Sequence, residues 1–296
     1  MAISFPVPVV PVTRVDADWV HQGKVSVDVL RADLVDAELS GNKYFKLMPN
    51  LQLAREQGHT TLLSFGGPWS NHLHALAAAG ARFGFQTVGV VRGEQVGELT
   101  PTLADAARWG MRLHFVSRAD YDRKDEADWL QALVERVGRC YLIPEGGCNR
   151  AGVLGCRHLL PATGDYTHVM LACGTGATMA GLVTVSQVPV TGIQVLKAEG
   201  YLQREVQRLL QEHGLAAMCD WRVLDQWHGG GYARISADLA KFMRRFEADT
   251  GVPLDPVYSA KLMQAATTLI QDDFFPANTR LLVIHGGGLQ GRRSMA

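Results

Sequence analysis

The feature of this sequence that most restricts its fold is a regular alternation of strand-like and helix-like segments. Short aliphatic and β-branched runs predict strands, and apolar residues spaced three and four apart predict the helices between them. The first half of the series predicts strands at 60–65, 87–91, 112–116 and 141–143, and helices at 71–83, 103–109 and 126–137. Such alternation is typical of right-handed βαβ units around a parallel sheet.

A second series of the same kind follows Gly147. It predicts strands at 168–172, 192–196 and 281–284, and helices at 177–184, 202–213, 237–249 and 258–271. Together the two series predict an α/β fold with two three-layer αβα domains and mainly parallel sheets. We expect the larger domain to comprise residues 1–43 and 152–296, and the smaller one residues 44–151.

Composition excludes several kinds of partner. The chain has 29 Lys plus Arg and 29 Asp plus Glu, so no excess charge indicates nucleic acid or a membrane surface. No run approaches the ~20 apolar residues of a spanning helix. Prolines at 6, 8 and 11 prevent a helix in the apolar run 5–12, which is predicted to be an extended arm or edge strand. Five scattered cysteines, with no secretory signal, favour the cytoplasm and argue against a metal site.

Residues 40–46 form the first of four segments that could carry chemistry. Asn42 is predicted to cap a helix that begins at Lys43, and Gly41 lets the chain turn into it. Lys43 and Lys46 lie on one face of that turn. They could be surface lysines, but nearby cationic groups also lower a lysine pKa, as a Schiff-base lysine requires.

Residues 65–72 form the second segment, between a predicted strand and a predicted helix. Ser70 is either the cap of that helix or, with Asn71, a polar group at the sheet edge, where ligands bind. The segment lacks the G-x-S-x-G pattern of hydrolases. His72 and His74 have no acidic residue close by in the sequence, so a Ser-His-Asp triad is not predicted.

Residues 174–178 form the third segment, Gly-Thr-Gly-Ala-Thr, which leads from a strand into a helix. Glycines permit close backbone approach and a helix start offers free N–H groups, so a phosphate-binding loop is favoured over a plain tight turn. No Gly-Lys-Ser/Thr follows, which excludes a nucleoside-triphosphate loop. Glu199 lies about twenty residues on, which keeps a dinucleotide site open as an alternative.

The fourth segment is near the C-terminus, where Tyr258 and Ser259 follow Asp255 and a glycine run at 286–288 follows a strand. A buried aromatic residue and an ordinary turn would also explain these features. Neither stretch identifies a site by itself.

In this order, the segments resemble the D-cysteine desulfhydrase and 1-aminocyclopropane-1-carboxylate deaminase family, one of the tryptophan-synthase-β-like (fold type II) pyridoxal-phosphate enzymes. The resemblance spans roughly residues 28 to 290. It rests on Gly41-Asn42-Lys43 with Lys46, Gly66-Gly67 with residues 70–72, Pro144-Glu-Gly-Gly147, residues 174–178, Asp255-Pro-Val-Tyr258 and His285-Gly-Gly287. The resemblance implies that pyridoxal 5'-phosphate lies in the cleft between the two domains.

The family pattern also implies a role for each residue. Lys43 would carry the cofactor as a Schiff base, with Lys46 tuning it, and Asn71 would bind the phenolic oxygen. The phosphate would lie on Gly174, Thr175, Gly176, Ala177 and Thr178. Ser70, as catalytic residue or carboxylate ligand, and Tyr258 and Tyr232, as catalytic residues, would face a small amino-acid substrate, with Trp69 and His72 beside it.

Residue 259 separates the two activities named for the family. Ring-opening deaminases resemble this chain at Tyr258 but have a glutamate next, beside the pyridine nitrogen. Here Ser259 follows, and a neutral hydroxyl favours an unprotonated ring and a weaker electron sink, which suffices for β-elimination. The expected reaction is therefore the α,β-elimination of D-cysteine to pyruvate, ammonia and sulfide.

Several alternatives stay open at this point. They are 1-aminocyclopropane-1-carboxylate ring opening, racemisation or β-replacement on the same cofactor, a nicotinamide-dependent oxidoreductase, and a cofactor-binding protein without turnover. Trp69 and His74 depart from the residues common at these positions, so the substrate could differ from both named compounds. A homodimer is expected at the level of the fold.

Overall fold

The computed structural model describes residues 7–39, 41–161 and 164–295. Within these ranges the strands are β1 Val12–Val15, β2 Ser26–Arg31, β3 Thr61–Gly66, β4 Gln86–Arg92, β5 Arg112–Val116, β6 Tyr141–Leu142, β7 His168–Cys173, β8 Val190–Gln194, β9 Trp221–Leu224 and β10 Arg280–His285. The helices are α1 Asp18–Gln22, α2 Asn42–Glu56, α3 Asn71–Phe83, α4 Pro101–Arg108, α5 Arg118–Asp122, α6 Ala127–Val137, α7 Arg150–Gly155, α8 Ala177–Val183, α9 Tyr201–Glu212, α10 Ala237–Thr250 and α11 Ser259–Gln271.

These strands form two sheets. The larger sheet has the order β1-β2-β10-β7-β8-β9, and only β1 runs antiparallel to its neighbour. The smaller sheet, β5-β4-β3-β6, is parallel throughout. The predicted α/β fold with mainly parallel sheets is thereby confirmed. All strands of the smaller sheet lie within residues 61–142, while the domain boundaries stay a prediction.

Each sheet has an apolar core on both faces. Along β10, Leu281 and Val283 enter the core formed with α10 and α11, whereas Leu282 and Ile284 enter the core formed with α8 and α9. Successive strand residues point to opposite faces, so a strand covered on both sides must be apolar throughout. Full burial of one such side chain stabilises the fold by about 1.5–3 kcal/mol.

The first two strands depart from the sequence-based expectations. The run 5–12 was expected to be an extended arm or edge strand. Strand β1, at an edge of the larger sheet, shares only Val12 with that run, and residues 5 and 6 lie outside the described ranges. Strand β2 was not predicted, because Asp28 interrupts its apolar pattern. In the sheet Asp28 is opposite Arg14 of β1 and forms an ion pair with it. None of the described helices is both long and apolar enough to span a membrane.

Candidate active site

A cavity of about 310 Å³ lies where the carboxyl ends of the two sheets meet. Its wall contains Gly67 and Arg92, at the ends of β3 and β4, and Cys173 and Gly286, at the ends of β7 and β10. Ligands of parallel sheets bind beyond this edge of the strands. Most residues singled out from the sequence line it, namely Lys43, Lys46, Ser70, Asn71, His72, Gly174, Thr175, Gly176, Thr178, Tyr232, Tyr258 and Ser259.

Lys43 projects into the cavity from the first turn of α2. Its Nζ donates to Asn42 Oδ1 at 2.7 Å. Burial lowers the pKa of Lys43 from 10.5 to about 7, and the nearby charge of Lys46 acts in the same direction. A large share of Lys43 is therefore an unprotonated amine near neutral pH, which is the form that attacks a carbonyl group.

The start of α2 differs from the expected cap. The helix begins at Asn42, with Gly41 at the N-cap position, and the Asn42 side chain makes no capping bond. Its Nδ2 instead donates to Thr178 Oγ1 at 2.8 Å. Asn42 was predicted to cap because the local sequence suits that role, but a contact with residue 178 depends on the tertiary fold. Asn42 thus links the lysine to the loop at 174–178.

This electrostatic environment predicts a pH dependence for cofactor capture. Capture requires the neutral amine, so the capture rate of cofactor-free protein should rise with pH through a midpoint near 7 and then level off, rather than climbing towards 10.5. Lys46→Met removes a charge that lowers the pKa of Lys43, so the midpoint should move to higher pH. Stopped-flow absorbance across the pH range measures both midpoints. An unchanged midpoint in Lys46→Met would contradict this electrostatic coupling.

Lys46 is buried one turn along the same helix face. Its Nζ donates to the carbonyl oxygen of Gly146 at 2.9 Å. Gly146 and Gly147 both have positive φ, in a tight turn at 145–147. Lys46 therefore binds this turn against α2 and keeps a positive charge close to Lys43.

His72 contributes a buried hydrogen-bond acceptor to the cavity wall. Ser64 donates its hydroxyl hydrogen to the Ile143 carbonyl at 2.7 Å, so the 2.9 Å contact between Ser64 Oγ and His72 Nε2 has the histidine as donor. Burial, reinforced by Lys43 and Lys46, holds the pKa of His72 well below its usual value. The ring is therefore neutral, and its Nδ1 lone pair has no partner among the described residues.

The turn at 67–70 determines which residues of the second segment face the cavity. Ser70 N donates to the Gly67 carbonyl at 3.0 Å, while Ser70 Oγ caps α3 by accepting from Leu73 N at 3.2 Å. Gly67 and Ser70 line the cavity, whereas Trp69, at the outer corner of the turn, does not. The structure does not bring Trp69 to the cavity wall with Ser70, and its substrate contact stays a prediction.

His74 has the acidic partner that the sequence did not show. Its Nε2 lies 3.2 Å from Asp105 Oδ2, a residue of α4. His74 is buried and does not line the cavity. Burial lowers the pKa of His74, so the contact is a hydrogen bond from a neutral imidazole. It joins α3 to α4, and it places no acid behind the cavity residue His72.

The loop at 174–178 joins β7 to α8 along the cavity wall. Gly176 adopts φ +81°, a left-handed conformation that suits glycine, and begins α8 as its N-cap residue. Thr175 and Thr178 line the cavity with it. Ala177 is buried and does not line the cavity. The role expected for Ala177 stays a prediction.

Two tyrosines cover another part of the cavity. The rings of Tyr232 and Tyr258 meet edge to face with centroids 6.1 Å apart, and Lys43 Nζ lies 6.0 Å from the centre of the Tyr258 ring. Burial raises the pKa of both phenols. They therefore keep their protons at neutral pH and can donate them.

Asn71 and the glycine run after β10 close the wall. Asn71 Oδ1 accepts from Gln290 Nε2 at 2.9 Å, which orients its amide. A side chain at Gly288 would come within 2.5 Å of Asn71 Nδ2, so this approach requires glycine. The predicted strand-to-glycine segment therefore positions a cavity residue as well as ending a strand.

Sequence reasoning missed two polar residues of the cavity wall, Arg92 and Tyr201, and gave no role to a third, Glu145, although it belongs to the segment 144–147 on which the family resemblance rests. Arg92 ends β4 and Tyr201 begins α9 after β8, so the sheet-edge rule could have indicated them. Glu199, which kept a dinucleotide site open, is exposed and does not line the cavity.

Residues 39–287 match the family described as pyridoxal-phosphate dependent enzyme. The chain belongs to this family. As a pyridoxal-phosphate-dependent enzyme it has a wall suited to that cofactor: an amine with a lowered pKa, a glycine-containing loop with two threonines, and an unpartnered buried acceptor. The nicotinamide alternative is thereby discarded.

Curated relatives of this pyridoxal-phosphate-dependent enzyme carry two names. A putative 1-aminocyclopropane-1-carboxylate deaminase of Thermotoga maritima is 32% identical over 90% of this chain and 89% of that protein. A bifunctional D-cysteine desulfhydrase/1-aminocyclopropane-1-carboxylate deaminase of Arabidopsis thaliana is 29% identical over 89% of this chain and 72% of that protein. A solved deaminase homologue superposes with a TM-score of 0.83, covering 97% of this chain and 91% of that one at 22% identity.

Proposed function

We propose that the enzyme deaminates a small amino acid by α,β-elimination, with D-cysteine as the substrate. In this reaction D-cysteine and one water give pyruvate, ammonia and hydrogen sulfide. The observation that carries the proposal is Lys43, a buried amine with a pKa of about 7 at the centre of a cavity in a pyridoxal-phosphate-dependent enzyme. Relatives named as desulfhydrases, such as that of Salmonella schwarzengrund at 26% identity, support the reaction type.

The cavity residues divide into those that would hold the cofactor and those that would meet the substrate. We propose that Lys43 holds the cofactor through its ε-amino group and that Asn71 donates to the phenolic oxygen. Thr175 and Thr178, with the backbone of their loop, bind the phosphate. Asn42 supports this arrangement, since it contacts both Lys43 and Thr178.

Proton movement at the α-carbon is the task of Lys43. When bound, pyridoxal phosphate withdraws electrons from the α-carbon of the amino acid and makes its proton acidic. A released Lys43 amine with a pKa of about 7 can take that proton as a base and return it as an acid. Ser70, at the start of α3, binds the substrate carboxylate beside it.

The tyrosine pair supports elimination. The thiolate that leaves the β-carbon needs a proton, and Tyr232 and Tyr258 keep theirs at neutral pH because burial raises the pKa of both phenols. Both line the cavity that holds Lys43. We propose that one of them protonates the departing sulfur and regains a proton from the ammonium group that Lys43 becomes on taking the α-proton. The pair also screens the substrate from water.

Ring opening of 1-aminocyclopropane-1-carboxylate is the second candidate, favoured by the names of the two relatives described above. Separate steady-state assays with D-cysteine, L-cysteine and the cyclopropane compound distinguish the two. We expect pyruvate and sulfide from D-cysteine with the highest kcat/KM. Turnover of the cyclopropane compound well above that of D-cysteine would reverse the order. Conversion of one cysteine enantiomer into the other without pyruvate would identify a racemase instead.

The oligomeric state and the cellular location of the enzyme are also proposals. We propose a homodimer, which light scattering would detect as twice the mass of one chain. The five cysteines are free thiols, in keeping with the predicted cytoplasmic location.

A further inference from the structure

A buried carboxylate stands directly behind Ser259 in the cavity wall. Asp255 is 1% exposed, and its Oδ1 accepts from Val257 N at 2.9 Å and from Tyr258 N at 2.8 Å. Its Oδ2 accepts from Ser259 N at 2.8 Å and from Ser259 Oγ at 2.7 Å. All four neighbours are donors, so Asp255 acts as an acceptor at every position, as a carboxylate does.

These contacts fix the direction in which Ser259 can form hydrogen bonds. A hydroxyl has one hydrogen and two acceptor positions. The hydrogen of Ser259 is donated to Asp255 Oδ2, and one acceptor position is taken by Asp255 N at 2.7 Å. The acceptor that remains is what Ser259 can offer to the cavity that it lines. Ser259 therefore meets a ligand as an acceptor and not as a donor.

We infer that Asp255 acts through Ser259 as a positioning residue that keeps the pyridine nitrogen of the bound cofactor protonated. The inference rests on the proposed function and on the family resemblance, which implies that residue 259 lies beside that nitrogen. The nitrogen takes one proton from solvent and keeps it, and the resulting N–H forms a hydrogen bond to Ser259 Oγ. Neither Ser259 nor Asp255 loses a proton. An unprotonated nitrogen would instead face the remaining lone pair of Ser259 Oγ. Two acceptors would then lie opposite each other with no hydrogen between them.

This inference replaces the expectation drawn from Ser259 alone. A neutral hydroxyl was expected to favour an unprotonated ring and a weak electron sink. With Asp255 orienting it, the hydroxyl acts in the same direction as a glutamate at position 259, because both accept from the ring nitrogen. A protonated ring would no longer favour elimination over ring opening, and the assays with D-cysteine and the cyclopropane compound distinguish the two.

The test is the ¹⁵N resonance of the ring nitrogen in enzyme reconstituted with ¹⁵N-labelled pyridoxal phosphate. Free labelled cofactor at acid and at alkaline pH supplies the protonated and unprotonated references. We expect the unaltered enzyme to resonate at the protonated reference at neutral pH. A resonance at the unprotonated reference would overturn the inference without any variant, so a folding defect cannot mask this outcome.

Variants then test Asp255 itself. In Asp255→Asn an amide group can donate to Ser259, whose hydrogen then turns to the ring, so the resonance should move towards the unprotonated reference. Adding Ser259→Glu to that variant should restore the protonated position. Asp249→Asn removes an equal charge from the exposed face of α10 and should change nothing. A protonated ring in Asp255→Asn would overturn the role of Asp255.

Failure of the proposed function would look different. If the enzyme retains no labelled cofactor and shows no visible absorption, the proposed function fails, and this inference with it. If the cofactor is bound and absorbs while its nitrogen is unprotonated, the inference alone fails.

Discussion

Replacement of Lys43 by alanine is expected to lower kcat by a factor of ~10³ or more, because one amine both holds the cofactor and moves the α-proton. KM should change less, since Ser70 and the other residues proposed to bind the substrate are unaltered. Steady-state pyruvate formation from D-cysteine measures the loss. The visible absorption of the reconstituted protein should change in parallel.

A matched control is available on α10, where Lys241 is exposed. Lys241→Ala removes the same side chain and should leave kcat, KM and the absorption spectrum unchanged. If Lys43→Ala kept kcat within about tenfold of the unaltered enzyme, a barrier change near 1.4 kcal/mol, Lys43 would not be the central base.

The second large effect is expected at Gly41, which brings the start of α2 against the end of β10. A β-carbon there would lie 1.9 Å from the carbonyl oxygen of Gly286, and the backbone has φ +68°. The steric contact and the positive φ both disfavour alanine, so Gly41→Ala should lower the free energy of unfolding by about 3 kcal/mol or more. Displacement of the adjacent Lys43 should also lower kcat/KM by a factor of ~10².

Gly84 provides the control for Gly41. It has φ +74°, but a β-carbon there would meet nothing within 4 Å. Gly84→Ala therefore carries the backbone term alone, about 1–2 kcal/mol, with activity unchanged. Urea denaturation of both variants measures the excess loss of stability at Gly41. That excess combines the contact with Gly286 and a backbone conformation, φ +68° and ψ −143°, that differs from the left-handed one of Gly84. Equal losses of stability would show that the contact with Gly286 contributes nothing.

Much of the fold could be predicted because most buried helices and strands show a clear apolar pattern in their own sequence. Helix α3 and strand β5 have the bounds expected from the sequence. The prediction failed at β2, where Asp28 pairs with Arg14 on another strand and accepts a hydrogen bond from Tyr166. A pairing between strands is a tertiary contact that local periodicity does not contain.

The candidate site, like the fold, has features that the local sequence shows and features that depend on tertiary contacts. Lys43, Ser70 and Tyr258 could be found because short segments carry them, and the cavity brings them together. The tautomer of His72 and the direction of the Ser259 hydroxyl could not be found from the sequence. Each depends on where one hydrogen lies in a hydrogen-bond network that only the folded protein forms. Position in a motif indicates that a residue is present at a site, while its hydrogen-bond partners determine what it can do there.

The most direct test of the central claim is to identify the lysine that carries the cofactor. The reconstituted enzyme is reduced with borohydride, which makes the linkage permanent, and the digested protein is analysed by peptide mass spectrometry. We expect the cofactor mass on Lys43, with Lys46 unmodified in the same peptide. Attachment at Lys46 or at the other buried lysine, Lys261, or no attachment in protein that binds the cofactor, would contradict the assignment of Lys43.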